Sequence, residues 1–198
     1  DAWVDSNPAC PTEWKDRIRN EGLDAILVTH GHSDHISELL ELATVTNAKI
    51  LGIYDLTTWL GMQGVDESRL LGFNKGGTVE VAGVKVTMTV AQHSSTYVEN
   101  GKLIPLGDPV GYVLTLENGF TIYFTGDTAV TYDMKIVGEL YHPELTILPI
   151  GDWFTMDPRQ AAYALRLIDS KYAIPGHFGS FPLLTGTPEA LRQQCEEQ

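Results

Sequence analysis

The sequence predicts a mixed α/β fold, and three observations carry the prediction. Short apolar runs of strand character alternate with stretches of helical periodicity from Asp24 to Ile174. Histidines and aspartates gather where the apolar runs stop, which is where α/β proteins place their chemistry. The length of 198 residues, with 43% hydrophobic and 20% charged side chains, suits one globular domain over residues 1–198 with a substantial core.

Residues 24–29 read as a buried strand that runs straight into His30-Gly31-His32-Ser33-Asp34-His35. Ile36, Leu39, Leu40 and Ala43 recur at helical spacing, so an amphipathic helix is expected from Ser37 to Thr46, followed by a strand from Lys49 to Ile53. The stretch from Thr57 to Gly77 holds five glycines and weak periodicity, which predicts a short helix around Leu56 to Leu60 and then a loop. Thr78 to Val90 alternates as a hairpin does, with Ala82-Gly83 at its turn, and delivers His93 just past a strand end. Val110–Leu116 and Phe120–Thr125 flank Asn118-Gly119, a pair that tolerates positive φ, so a second hairpin ends at Gly126-Asp127. Glu144 to Ile150 is a further strand, followed by Gly151-Asp152. Asp157-Pro158, with Gln160 placed as in a capping box, starts a helix that turns Ala161, Leu165 and Ile168 inward. Tyr172 to Ile174 is the last strand, leading to Pro175-Gly176-His177.

The formal net charge of −13 argues against nucleic acid as a partner, because neutralising phosphates requires clustered Lys and Arg. No apolar run reaches the roughly 18 residues needed to span a bilayer, so no membrane role is expected. Cys10 and Cys195 lie near opposite ends without Cys-x-x-Cys spacing and read as two free thiols. The chain starts at Asp1 with neither an initiator Met nor a signal segment, so the start of the gene product is expected upstream. Free thiols and no visible export signal predict a cytoplasmic protein, and homo-oligomerisation stays open.

Three of the six histidines, His30, His32 and His35, fall within six residues, with Asp34 among them. Side chains alternate along an extended segment, so His30 and His32 face the same way and can converge on one cation. Asp34 and His35 follow after the chain has turned and suit a second. Neutral imidazole and ionised carboxylate are ordinary ligands for zinc and similar divalent ions. The remaining ligands must come from distant segments.

The series His-x-His-x-Asp-His followed by isolated His, Asp and His, here His30, His32, Asp34, His35, His93, Asp127 and His177, resembles the metallo-β-lactamase superfamily. Thr29-His30-Gly31-His32, His93-Ser94-Ser95, Gly126-Asp127-Thr128, the run from Leu148 to Met156 and Ile174-Pro175-Gly176-His177 look like its UPF0173 group of metal-dependent hydrolases, which is similar to the ascorbate-phosphate lactonases. The resemblance implies an αββα four-layer sandwich, with the family's first strands lying ahead of Asp1. It implies one cation on His30, His32 and His93, a second on Asp34, His35 and His177, and Asp127 between them. It also implies two divalent ions, zinc with manganese or iron as alternatives. A hydroxide activated between them would attack an ester, a lactone or a related small-molecule bond, with Asp34 as the catalytic carboxylate that orients water and moves a proton. A phosphodiesterase and a non-catalytic metal-binding protein are the competing readings. β-Lactam hydrolysis is not favoured, because most class B β-lactamases place Cys where this chain offers Asp127.

Ser94 to Pro109 is expected to act as a lid over the site. Asp152 is expected either to orient a ligand or to form a turn, and Thr155 and Met156 either to line the cleft or to start a helix. Trp59, Tyr97, Trp153 and Phe154 are expected in the core, Phe178 either there or at the substrate, and His142 exposed.

Overall fold

The computed structural model describes residues 1–197. After helix α1 (Thr12–Glu21), three parallel strands form a first sheet in the order β1 (Ala25–Leu27), β2 (Lys49–Ile53), β3 (Leu70–Phe73). The short helices α2 (Ser33–Ile36) and α3 (Leu39–Val45) cross from β1 to β2, and α4 (Tyr54–Met62) crosses from β2 to β3. The second sheet has six strands. Its first four, β4 (Thr78–Val81), β5 (Val84–Val90), β8 (Val110–Thr115) and β9 (Thr121–Phe124), are antiparallel neighbours in that order. Beyond β9, β10 (Leu145–Pro149) and β11 (Tyr172–Gly176) run parallel to it, joined through α5 (Asp133–Tyr141) and α6 (Pro158–Ile168). A separate hairpin, β6 (Thr96–Glu99) with β7 (Lys102–Pro105), is inserted between β5 and β8, and α7 (Pro188–Glu197) packs on α6.

Strand β8 shows how the layers stack. Its period-two alternation sends Val110 and Tyr112 to a core shared with Val28, Ile50, Leu56 and Met88, which lies between the sheets and under α3 and α4. Val113 faces the other way, into a second core with Met134, Leu148, Ala161 and Ile168 beneath α5 and α6. The result is helix, sheet, sheet, helix, as the family resemblance implies. Burying each of these larger side chains contributes about 1.5–3 kcal/mol. Tyr112 also joins the sheets: its hydroxyl donates to Val28 O at 2.6 Å inside the first core. Val110 N–H donates to Thr29 O at 2.9 Å. The segment entering His30 is thereby fixed from both sheets.

The structure departs from the sequence reading at several places. The helix expected from Ser37 to Thr46 begins at Ser33, breaks, and resumes at Leu39, because the Glu38 N–H is taken by the carbonyl of Ala2 at 3.1 Å. The expected loop before Gly77 contains a 3-10 turn, Glu67–Arg69, and β3. Arg69 holds that region by donating to the carbonyls of Ala43, Thr46 and Ala48. In the second hairpin only Gly119 of the Asn-Gly pair takes positive φ, and the connection is a longer turn closed by Leu116 and Phe120. The capped start of α6 is as expected, with Asp157 accepting from Gln160 N at 2.7 Å. Among the described residues no helix is long and apolar enough to cross a membrane.

Candidate metal centre

All seven predicted residues converge at the edge where β1, β5, β9 and β11 end. His30 and His32 follow β1, His32 with extended backbone as the residue capping α2, and Asp34 and His35 sit in the first turn of α2. His93 follows β5, Asp127 follows β9, and His177 follows β11 with a left-handed φ of 51°. Two glycines are required by this geometry. A Cβ on Gly31 would lie 2.8 Å from the Leu106 side chain, which roofs the motif. Gly126 has a φ of +63°, and a Cβ there would lie 2.6 Å from Val110 O, so Asp127 could not be reached by the same path. Gln92 N–H donates to Thr128 Oγ1 and Ala129 N–H to Gln92 O, which draws His93 beside Asp127.

The ligand atoms form two linked groups. His30 Nε2 and His32 Nδ1 lie 2.9 Å apart, and His32 Nδ1 and His93 Nε2 lie 3.3 Å apart. Bonds of about 2.1 Å to a tetrahedral zinc place its ligand atoms ~3.4 Å from one another, so these spacings suit one cation. In the other group His177 Nε2 and His35 Nε2 stand 3.4 and 3.6 Å from Asp34 Oδ2. Asp127 Oδ2 stands between the groups, 3.1 Å from His177 Nε2, 3.4 Å from His35 Nε2 and 3.8 Å from His93 Nε2.

Hydrogen bonds on the far sides of three imidazoles set which nitrogen faces inward. His30 Nδ1 meets Thr29 Oγ1 at 3.0 Å, His32 Nε2 meets Ser94 Oγ at 3.1 Å, and His35 Nδ1 meets Asp1 Oδ2 at 2.9 Å. Each partner fixes the ring so that the other nitrogen presents its lone pair to the centre. His35 Nε2 is buried with no hydrogen-bond partner although carboxylates surround it. That is a costly position for a nitrogen with nothing to coordinate.

Electrostatics agree. Burial pushes His30 down to about 2 and lowers His32 and His93, keeping these rings neutral as ligation requires. Burial works to raise Asp127, but its contacts with His177 and His35 hold it well below the usual carboxylate range. Asp34 is also lowered, with burial opposed by His177. For His177 burial acts downward, yet Asp127 and Asp34 lift it to about 9. Without a cation, a proton on His177 is what balances the two carboxylates. A divalent ion would replace it, and the donor set therefore fits divalent metal.

Sequence reasoning missed two residues. Asp1 receives Thr29 N–H at 2.7 Å as well as His35 Nδ1, and Glu38 accepts from the backbone of Val4, Asp5 and Ser6, which holds the Asp1 segment in place. Neither has a motif to mark it; Asp1 lies 34 positions from His35. Two expectations are corrected. Trp153 and Phe154 are 68% and 49% exposed rather than in the core, because the left-handed turn at Asp152 and Trp153 turns them outward. Met156 is fully buried, and neither it nor Thr155 lines the cavity over the centre. The segment from Ser94 to Pro109, expected as a lid, carries the β6–β7 hairpin; Ser94, Thr96 and Val98 line the cavity over the centre, and Gly31 N–H donates to Ser95 Oγ at 3.1 Å at the hairpin's base. Trp59 and Tyr97 pack on the core, Phe178 packs on the second core, and His142 is exposed.

Residues 1–178 match the family described as a Beta-lactamase superfamily domain. The chain is 65% identical over 195 residues to a UPF0173 metal-dependent hydrolase of Roseiflexus castenholzii, covering 98% of this chain and 80% of that protein. It is 62% identical over 197 residues to one from Chloroflexus aurantiacus, covering 100% and 81%. Among solved structures it resembles Igni18, a metallo hydrolase from the archaeon Ignicoccus hospitalis, with a TM-score of 0.84 and 31% identity over 97% of this chain and 79% of that one. The metallo-beta-lactamase fold protein YhfI from Bacillus subtilis aligns with a TM-score of 0.70 at 15% identity, over 94% of this chain and 75% of that one, and supports the fold alone.

Proposed function

The chain belongs to the β-lactamase superfamily, among its UPF0173 metal-dependent hydrolases, and we propose that it hydrolyses an ester, lactone or related small-molecule bond at a two-cation centre. His30, His32 and His93 would hold one divalent ion, Asp34, His35 and His177 the other, with Asp127 shared. The observation that carries the reading is the single oxygen Asp127 Oδ2, within 3.1–3.8 Å of imidazole nitrogens of both groups. Zinc suits the donor set, with manganese and iron as alternatives. Bound there, such ions would act as Lewis acids, lowering the pKa of a water and polarising the bond under attack.

The chain's own residues supply the rest. Asp34 is ionised at neutral pH and faces the cavity, so it can orient water and then carry a proton to the leaving group. Ser94, Thr29 and Asp1 hold three rings in orientation, which keeps the centre from rearranging as charge develops. A small-molecule substrate is supported by the cavity of about 720 Å³ over the centre, a volume within the usual range of small-molecule sites. We assign the protein to the cytoplasm on its two free cysteines, acting without nucleic acid or membrane and free to form homo-oligomers. The test is the metal content and hydrolase activity of His32→Ala beside the wild type. Loss of metal and of turnover is expected; full activity at normal metal content would end the reading.

A further inference from the structure

We infer that the cavity over the centre selects an uncharged substrate bearing a hydrocarbon chain or ring, seated between the β6 strand, Phe154 and Leu183. This rests on the hydrolase reading above and adds the substrate class. The floor of the cavity is the His and Asp cluster itself. Beside the hydroxyls of Ser33, Ser94 and Thr96, its walls carry Val98, Phe154, Phe181, Pro182 and Leu183, brought together from three segments: the inserted hairpin, the turn after β10 and the loop after His177. Val98, Phe154 and Leu183 are 61%, 49% and 45% exposed, and all three line one opening. Scattered exposed apolar residues are ordinary, but apolar residues from separate segments lining one metal-floored cavity mark a place for an apolar ligand group.

The walls are built rather than loose. Trp3 stacks on Phe181 at 5.4 Å with planes 5° apart. Phe154 is carried by a turn in which both Asp152 and Trp153 are left-handed, at φ 68° and 56°, a strained arrangement that persists only where the surrounding structure imposes it. The hairpin bearing Val98 is tied to the motif through Ser95 and Gly31.

Charge excludes the alternatives. None of the 13 Lys and Arg residues lines the cavity, and the chain carries −13 overall. A phosphorylated or carboxylate-rich substrate would find no counter-charge on the walls for any group beyond the one seated on the cations. A hydrocarbon group exchanges water for Phe154, Leu183 and Val98 and gains from each methylene buried.

The test is calorimetric binding of alkyl hydroxamates, from acetohydroxamate to octanohydroxamate, to the zinc-loaded protein. The hydroxamate group seats on the cations and the chain reports the walls. Each of the first several methylenes is expected to lower Kd about fourfold. The double variant Phe154→Ser, Leu183→Ser should flatten the series, read as the ratio of acetohydroxamate to octanohydroxamate Kd, and Phe154→Leu in place of Phe154→Ser should restore part of the slope. Both positions are solvent-exposed, so the fold should survive, which thermal melts will verify. Acetohydroxamate binding with no dependence on chain length would overturn this inference and leave the metal centre standing, as would methylphosphonate binding more tightly than hexanohydroxamate. No binding of any hydroxamate would overturn both.

Discussion

Replacing Glu38 with Gln tests how the metal motif is held. The Glu38 carboxylate is buried and accepts from Val4 N at 2.9 Å, Asp5 N at 2.8 Å, Ser6 N at 2.7 Å and Ser6 Oγ at 2.6 Å. Burial alone would raise its pKa; the Ser6 hydroxyl and the three amides instead bring it from 4.5 down to about 2. At about 1.4 kcal/mol per pH unit that depression corresponds to ~3 kcal/mol. Asp5 and Ser6 are themselves exposed, and solvent screening reduces the expected contribution to about 2 kcal/mol. The folded pKa is the lower one, so the stabilisation is complete above pH 4.5 and disappears as pH falls through about 2. Gln keeps the shape but sets an NH2 group against N–H donors. In a chain of this length ~2 kcal/mol shifts Tm by about 4–8 °C. Urea unfolding of both proteins from pH 7 to pH 2 is the assay, with hydrogen exchange at Val4, Asp5 and Ser6. The two stability curves should converge between pH 4.5 and 2. Curves that stay parallel, or unchanged protection at those amides, would refute the reasoning.

Asp1→Ala should lower metal affinity about 10–100-fold, read by competition with a chromogenic chelator, because His35 loses the partner of its Nδ1. Asp127→Asn should cost more than 100-fold in activity and reduce metal content at both positions, since one oxygen approaches both groups; loss confined to one position would show that it is not shared. Gly31→Ala should destabilise by about 1–3 kcal/mol against Leu106, and Leu106→Ala added to it should recover part of that loss in urea unfolding. In the metal-free protein His177 stays protonated up to about pH 9, so cation binding must displace that proton. Affinity should therefore rise about tenfold per pH unit up to about 9 and level off above it, with close to one proton released near pH 7.5 in calorimetry across buffers; pH-independent affinity would contradict this.

Half of the metal centre was legible locally, because His30, His32, Asp34 and His35 fall within six residues; His93, Asp127 and His177 lie far along the chain and were legible only through the resemblance to the family's motif series, each falling just past a strand. The helix α6 was equally legible, through the Asp157 cap and Pro158. Other parts lacked a local signal. α1 buries no residue fully, so it carries no apolar stripe, and β3 is four residues interrupted by Gly72. Trp153 and Phe154 read as core residues by composition, but two left-handed residues decide their direction. The supports of the centre, Asp1 and Glu38, act through tertiary hydrogen bonds spanning more than 30 positions, and no spacing rule records them.

Anomalous diffraction at the zinc edge, from crystals of the zinc-loaded protein, addresses the two-cation centre directly. Two peaks are predicted, one enclosed by His30, His32 and His93 and the other by Asp34, His35 and His177, with Asp127 reaching both. A single peak, or peaks away from these side chains, would contradict it.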